Sequence, residues 1–192
     1  MSSNPAAKLT DEQYLAIERA AEFRSEFVNG EMFAMSGGTL RHALLQSNVF
    51  GELYGQLRGR GCTAFTSDMR VRVSATGMYT YPDVTVVCGK PQLADTHADT
   101  LLNPVVIFEV LSPSTEGYDR GLKFQSYRTL ASLRDYILVD QSSVRIEHYT
   151  RGEADTWTLR DCQSIEDDLV IDSLGVTLAL RRIYDGVEPP AA

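Results

Sequence analysis

The sequence predicts an α/β fold whose elements follow the order helix, strand, strand, strand, helix, strand. Three apolar runs rich in β-branched residues indicate strands at residues 81–87, 105–111 and 135–140. A segment with helical spacing, residues 118–130, lies between the last two runs. The runs are almost continuously apolar, which is typical of strands buried on both faces of a sheet. We therefore expect a central sheet covered by helices.

The length and composition favour one domain. The chain has 192 residues, of which 43% are hydrophobic and 23% charged, which is ordinary for a globular protein with a sizeable core. We expect a single domain over residues 1–192, with a core at 10–186 and a frayed end at 1–9. No apolar run approaches the roughly 20 residues that span a bilayer, and the N-terminus has no apolar signal core. These features predict a cytoplasmic protein with no membrane partner.

The cysteines carry little information in the sequence. Cys62, Cys88 and Cys162 are odd in number and far apart. They match neither a disulfide framework nor a zinc-binding pattern. We therefore interpret them as small core or surface residues.

The N-terminal part of the chain predicts a helix followed by a hairpin. Thr10 can cap a helix that runs to about Glu18. Asn29 and Gly30 stand between alternating apolar residues, and this pair favours the positive φ values of a type I′ turn. We expect Glu26 to lie at a solvent-facing strand end, whereas the position of Glu31 stays open.

A second helix is predicted over residues 40–58, because apolar side chains recur there at every fourth position. These side chains are Leu45, Val49, Leu53 and Leu57. At 100° per residue, His42 falls in the same apolar arc and faces the sheet. An inward-facing histidine is more often a satisfied core residue than a catalytic one. Both alternatives stay open for His42.

The remaining segments have weaker patterns. Residues 62–73 alternate as one strand, and residues 90–103 read as a polar loop without periodicity. After the last buried strand, residues 144–149 and 155–160 predict a hairpin. Short apolar pieces follow at residues 168–184.

Two carboxylates interrupt the buried strands. Asp83 stands near the start of one strand, and Glu109 stands near the end of another, 26 residues further on. A buried carboxylate costs free energy unless it is paired, hydrogen-bonded or bound to a metal. Such a pair suits a hard cation such as Mg²⁺ or Mn²⁺, since Mg²⁺ takes one or two carboxylates and keeps several waters. The main-chain carbonyl of Val110 can supply a third ligand.

Phosphate chemistry at such an ion needs a positive side chain near the attacking water or the phosphate. The position on the same face two residues after Glu109 is Leu111, so the strand does not supply one. On the following helix, Lys123 falls in the middle of the apolar face, where a lysine is uncommon. A packed stem with the ammonium in water is the structural alternative. Together with Asp83 and Glu109, the position of Lys123 favours a functional role.

The ordered motifs resemble the Uma-two family of restriction endonucleases, a branch of the PD-(D/E)XK nuclease superfamily. The matching pieces, over about residues 10–186, are F-V-N-G-E (27–31), His42, Y-P-D (81–83), E-V-L-S-P-S (109–114), the Asp119–Lys123–Tyr127 spacing and D-Y-I-L-V-D (135–140). Pro-Asp alone is a weak signal, whereas the ordered set with E-V-L-S-P-S-T is strong.

The resemblance implies a restriction-endonuclease-like αβββαβ core, in which a central mixed sheet is flanked by helices. To this core the chain adds N-terminal and C-terminal β-hairpins. The resemblance also implies that Asp83 and Glu109 are metal ligands. The chain departs from the superfamily pattern at Leu111, where a lysine is expected. In this family the lysine has moved to the helix, which matches Lys123.

The charge of the chain constrains its partners. A net charge of −8 argues against a general nucleic-acid coat protein. The charge is uneven, since residues 40–72 carry +3 with five arginines, whereas residues 152–172 carry −6. We expect these arginines to share a face with the site and the acids to lie elsewhere. The alternative is a solvated surface without a partner.

The leading hypothesis is a metal-dependent endonuclease that hydrolyses DNA phosphodiester bonds. Asp83 and Glu109 would hold the ion, Lys123 would orient water or steady the phosphate, and His42 would assist. The alternative is a non-catalytic nuclease-fold module for binding or assembly. We further expect DNA as the substrate partner and a homodimer.

Overall fold

The computed structural model describes residues 8–35 and 37–188, so most of the predicted frayed end lies outside the described residues. The helices are α1 (Asp11–Ala20), α2 (Leu40–Leu57), α3 (Glu116–Tyr118), α4 (Phe124–Tyr127) and α5 (Leu180–Ile183). A π-helical turn (Asp119–Lys123) joins α3 to α4, and we call this continuous run the lysine helix. A 3₁₀ turn spans Glu153–Asp155.

The strands fall into three sheets among the described residues. In chain order they are β1 (Ser25–Val28), β2 (Glu31–Ala34), β3 (Cys62–Thr66), β4 (Arg70–Val73), β5 (Met78–Thr80), β6 (Val84–Cys88), β7 (Thr100–Leu101), β8 (Val106–Leu111), β9 (Asp135–Asp140), β10 (Ile146–Arg151), β11 (Trp157–Cys162), β12 (Asp168–Ile171) and β13 (Val176–Ala179). The sheet orders are β11-β10-β9-β8-β6-β3, β2-β1-β5-β4-β7 and β12-β13.

The six-stranded sheet is the predicted central sheet, and it is mixed. Strands β8 and β9 run parallel, whereas β8 and β6 run antiparallel. Every residue of β8 is buried, because helices cover both faces. Alternate residues of β8 divide between two cores, one under α2 and the other under the lysine helix. The predicted α/β fold with a mixed sheet flanked by helices is confirmed.

The N-terminal hairpin forms as predicted, since Asn29 and Gly30 have φ values of 53° and 87°. The hairpin belongs to the five-stranded sheet, where β1 lies between β2 and β5. The prediction of one strand over residues 62–73 is wrong. A turn at residues 67–69 divides this segment into β3 and β4, which belong to different sheets.

The interpretation of Cys62 and Cys88 as unlinked residues is wrong. These residues face each other directly across the antiparallel pair β3–β6, with Cα atoms 4.0 Å apart, and they form a disulfide. The pairing depends on strand register, which the spacing of cysteines along the chain does not reveal. Cys162 is buried and free, as expected of a core residue.

Within residues 8–35 and 37–188, no helix is both long and apolar enough to cross a bilayer.

Candidate active site

A cavity of about 900 Å³ opens at one end of the central sheet, where β6 begins beside the end of β8. The N-terminal hairpin, the start of α2 and the lysine helix form its walls. His42, Asp83, Glu109, Val110 and Lys123 all line this cavity. The structure therefore brings together every residue that the sequence proposed for the site, although their roles remain predictions.

Asp83 lies where the regular pairing of β6 with β8 ends. The last paired residues are Val84 and Phe108. Beyond them, Asp83 Oδ2 accepts a hydrogen bond from the Val110 N–H at 2.7 Å. The Asp83 side chain thus supplies the acceptor that a backbone carbonyl of β6 would supply if the strand pairing continued. The N–H and C=O of one strand residue point to the same side. The Val110 carbonyl therefore points past the end of β6, toward the cavity.

His42 reaches the other oxygen of Asp83. Thr39 caps α2 by accepting a hydrogen bond from the His42 N–H, which places His42 in the first turn. Its Nε2 atom lies 2.8 Å from Asp83 Oδ1. Burial acts to lower the pKa of His42, but the hydrogen bond and negative charge of Asp83 raise it above its usual value. The ring thus faces the sheet as predicted and contacts a candidate metal ligand rather than the apolar core.

Glu109 lies on the face of β8 that the lysine helix covers. Its Oε1 atom accepts hydrogen bonds from Lys123 Nζ and the Tyr127 hydroxyl, each at 3.0 Å. Its Oε2 atom accepts no hydrogen bond from any described residue. Burial, with the nearby carboxylates, raises the pKa of Glu109 well above its usual value, although Lys123 opposes this rise. One oxygen is thus held by the protein, and the other is free to bind a ligand.

Lys123 is buried among three carboxylates. Its Nζ atom lies 3.1 Å from Glu26 Oε1, 3.0 Å from Glu109 Oε1 and 3.2 Å from Asp119 Oδ1. Burial acts to lower the pKa of Lys123, but the three carboxylates raise it well above its usual value. The lysine is therefore charged. The alternative in which its ammonium reaches water is wrong, because the side chain is only 7% exposed.

Sequence reasoning missed the contribution of Glu26. The expectation of a solvent-facing strand end is wrong, because β1 has strands on both sides and Glu26 is 7% exposed. Its Oε1 atom also accepts a hydrogen bond from the Tyr81 N–H at 3.4 Å. The roles of Asp119 and Tyr127 were missed as well. They stand four residues before and after Lys123, and this spacing on one helical face was the available signal.

The arginines of residues 40–72 do not surround the cavity. No arginine lines it within the described part of the chain. Arg70 is buried beneath α1 and pairs with Asp99, and Arg72 pairs with Asp11. The expectation that these arginines share a face with the site is therefore wrong for Arg70 and Arg72, because β4 turns them toward α1.

The charged residues that line the cavity are mostly acidic. They are Lys8, Lys123, Glu26, Glu31, Asp83, Glu109 and Asp119. None of the acids from residues 152–172 lies among them, as the sequence led us to expect. An acidic cavity of this kind attracts cations and repels a phosphate until a cation is bound.

The donor set fits a magnesium-type ion. No three His, Cys, Asp or Glu side chains form a ready metal cluster within residues 8–35 and 37–188. A Mg²⁺ ion does not need three, since it binds one or two carboxylates and completes its shell with water and carbonyl oxygens. Glu109 Oε2 accepts no hydrogen bond from the part of the chain that the structure describes, and a carboxylate oxygen of Asp83 that accepts one hydrogen bond retains a second lone pair. Asp83, Glu109 and the Val110 carbonyl can therefore hold such an ion.

Comparison with solved structures identifies the class of fold. The chain is similar to a protein described as a "putative nuclease belonging to DUF820" from Anabaena variabilis ATCC 29413. The TM-score is 0.75, and the match covers 94% of this chain and 99% of that one at 15% sequence identity. At this identity the match establishes a nuclease-like fold.

The family follows from the sequence. The model of the Uma2 family, described as "Putative restriction endonuclease", matches residues 11–181. The chain therefore belongs to the Uma2 family, which confirms the resemblance seen in the motifs. Family and fold together point to a restriction-endonuclease-like nuclease.

Two relatives come from Synechocystis sp. (strain ATCC 27184 / PCC 6803 / Kazusa). The uncharacterized protein slr1290 is 35% identical over 96% of each chain. The uncharacterized protein sll1609 is 37% identical over 80% of this chain and 86% of its own length. Their names assign no activity.

Proposed function

We propose that this protein is a metal-dependent endonuclease that hydrolyses DNA phosphodiester bonds with Mg²⁺ or Mn²⁺. The observation that carries the proposal is the meeting of Asp83, Glu109 and Lys123 in one cavity at the end of the central sheet. Membership of the Uma2 family and the nuclease-like fold support it. The acidic cavity favours a cation as the first ligand and a phosphate as the second.

Asp83, Glu109 and the Val110 carbonyl would hold the ion. When bound, such an ion polarises the phosphate and lowers the pKa of a coordinated water. The protein itself orients these ligands. The Val110 N–H and His42 fix the two oxygens of Asp83 at 2.7 and 2.8 Å, while Tyr127 fixes one oxygen of Glu109 at 3.0 Å. Rigid oxygen donors hold the geometry without reorganisation during the reaction.

Lys123 would stabilise the negative charge that develops on the phosphate. An ammonium group has three N–H donors, and Glu26, Glu109 and Asp119 all lie within 3.2 Å of it. A contact between Lys123 and the substrate therefore competes with these three ion pairs. Glu109 is the carboxylate with a second task, because it is also the proposed metal ligand.

Cleavage of plasmid and linear DNA tests the proposal. We expect Mg²⁺-dependent cleavage by the wild type, and a loss of roughly 100-fold or more in Asp83→Asn and Glu109→Gln, since each change weakens the charge stabilisation at the reacting phosphate. Glu31→Gln is the matched control, because Glu31 lines the same cavity but is exposed. DNA cleavage by the wild type that persists in chelator, or variants as active as the wild type, would contradict the proposal.

The second candidate function is a binding or assembly module that retains the nuclease fold. The observation that favours it is the apolar part of the cavity rim, where Phe33, Met35 and Leu122 are 52%, 37% and 39% exposed. Such a surface suits a partner or a second copy in a homodimer. Sedimentation of the wild type and Phe33→Ser tests this candidate. A monomer at all concentrations would leave the predicted homodimer without support.

A further inference from the structure

Lys123 occupies the centre of a group of carboxylates that converge from three elements. Glu26 comes from β1, Glu109 from β8 and Asp119 from the lysine helix, and we call these three residues the carboxylate cage. All four residues are between 2% and 7% exposed. The cage is therefore largely buried at the wall of the cavity, and its only cation among the described residues is the Lys123 ammonium.

The charges of the cage and the ammonium do not balance. Three carboxylates surround one positive charge, and an excess of negative charge in a buried place costs free energy. Asp119 Oδ1 is fully buried and accepts no hydrogen bond from any described residue, and it is held only by the ion pair with the ammonium 3.2 Å away. Once the ammonium is removed, a buried carboxylate oxygen of this kind is suited to a metal ion, since Mg²⁺ and Mn²⁺ bind carboxylate oxygens.

We propose that the Lys123 ammonium is a built-in cation that fills the position of a second metal ion. The inference rests on the proposed function, and it deepens it: the site takes one divalent cation, at Asp83, Glu109 and Val110. The cage takes none while Lys123 is present. Glu26 and Asp119 are then positioning residues, because they keep the ammonium in place when Glu109 turns toward the bound ion.

A count of bound Mn²⁺ ions tests the proposal. We expect one ion per chain in the wild type, by electron paramagnetic resonance and by titration calorimetry. We expect two ions in Lys123→Met, because the cage has then lost its only cation and accepts a divalent one. Lys123→Arg keeps the positive charge and should bind one ion. Lys123→Met with Glu26→Gln should also return to one ion, since the cage has lost a ligand.

The contradicting results are specific. A second ion in the wild type, or an unchanged count in Lys123→Met, would overturn the proposal. If Lys123→Met unfolds in chelator, Mn²⁺ should restore its folding, since binding to the native state stabilises it. Failure of Mn²⁺ to restore folding would equally overturn the proposal.

The same count separates this inference from the proposed function. No ion in the wild type but one in Lys123→Met would reject the metal site at Asp83 and keep the cage. One ion in both proteins would reject the cage and keep the metal site. The single variant Glu26→Gln tests the positioning role of Glu26 by its kcat and its Kd for Mn²⁺. It should lower kcat about tenfold while the Kd for the single Mn²⁺ ion stays the same, whereas a purely structural role would leave kcat unchanged.

Discussion

The two ends of the central sheet carry the same pair of groups in different surroundings. At the end that opens to the cavity, Asp83 lies 2.8 Å from His42. At the opposite end, where β9 begins, Asp135 lies 2.7 Å from His148. Only the first pair lines the described cavity. We call these regions the cavity end and the closed end.

The hydrogen bonds around the two carboxylates explain the difference. At the closed end, Asp135 Oδ1 accepts from His148 and Thr150, and Asp135 Oδ2 accepts from Ser173. Each oxygen there is satisfied by the protein itself. At the cavity end, Glu109 Oε2 has no donor among the described residues, and several carboxylates share one ammonium. A saturated carboxylate indicates a structural role, and an excess of carboxylates indicates a binding site.

A covalent cross-link adds to this contrast. The Cys62–Cys88 disulfide joins β3 and β6 at the closed end, whereas β6 begins at the cavity end beside Asp83. The closed end thus holds the interactions that stabilise the sheet. The cavity end holds an excess of buried negative charge, which opposes stability. Residues kept for function often reduce stability in this way.

The largest expected effect is the loss of the buried ammonium at the cavity end. Lys123→Met should lower the free energy of unfolding by about 3–5 kcal/mol in chelator, because it leaves three buried carboxylates without a positive charge to pair with. Urea denaturation measures this change. Lys8→Met is the matched control, since Lys8 lines the same cavity but is exposed, and should stay within about 0.5 kcal/mol of the wild type. Equal stability of the two variants would show that the cavity end holds no costly excess of buried negative charge, and so would contradict the contrast with the closed end.

The next effect concerns the closed end. The disulfide links residues 26 positions apart. A disulfide that closes a loop of that length lowers the conformational entropy of the unfolded chain. This effect stabilises the folded state by about 3.5 kcal/mol. Reductant should therefore lower the denaturation midpoint of the wild type. The double variant Cys62→Ser with Cys88→Ser should not respond to reductant, and a response from that variant would assign the effect to another source.

The smallest effect concerns pH. Asp83 raises the pKa of His42 above its usual value, despite the opposing effect of burial. A raised folded-state pKa stabilises the fold fully below the unfolded pKa of about 6.5. This stabilisation is lost as the pH rises through the folded-state pKa. In chelator, the wild type should therefore lose stability relative to His42→Gln on going from pH 5.5 to pH 8.5. If the stability of the wild type instead rises relative to His42→Gln as the pH increases, the pKa of His42 is not raised in the folded state.

The sequence predicted the parts of the fold and site that depend on local pattern. The continuous apolar runs placed β8 and β9, and the isolated acids within and beside such runs identified Asp83 and Glu109. Helical spacing placed Lys123 on the buried face. These inferences succeed because the pattern that buries an element also shows which charged residues it buries.

The errors concern contacts between distant segments. Glu26 was assigned to solvent because a four-residue strand does not show which strands will pair on each side of it. The Cys62–Cys88 link depends on the register of β3 against β6. Arg70 was expected at the cavity, but α1 covers it. Each outcome depends on tertiary pairing, which no window of the sequence contains.

The most direct test compares the two ends in one experiment. Thermal melts of Asp83→Asn and Asp135→Asn, each with Mg²⁺ and with chelator, separate a metal ligand from a structural carboxylate. In chelator, Asp83→Asn should match the wild type, because an amide can keep the contacts with the Val110 N–H and a neutral His42 ring. Asp135→Asn should cost roughly 1–3 kcal/mol in either condition, since buried donors lose their acceptor.

With Mg²⁺ at 100 times its Kd, the wild type and Asp135→Asn should each gain about 2.7 kcal/mol of stability, whereas Asp83→Asn should gain none. This pattern would establish that the cavity end binds the ion and that the closed end only stabilises the sheet. A wild-type melting temperature that is indifferent to Mg²⁺, together with a lower one for Asp83→Asn, would contradict the account.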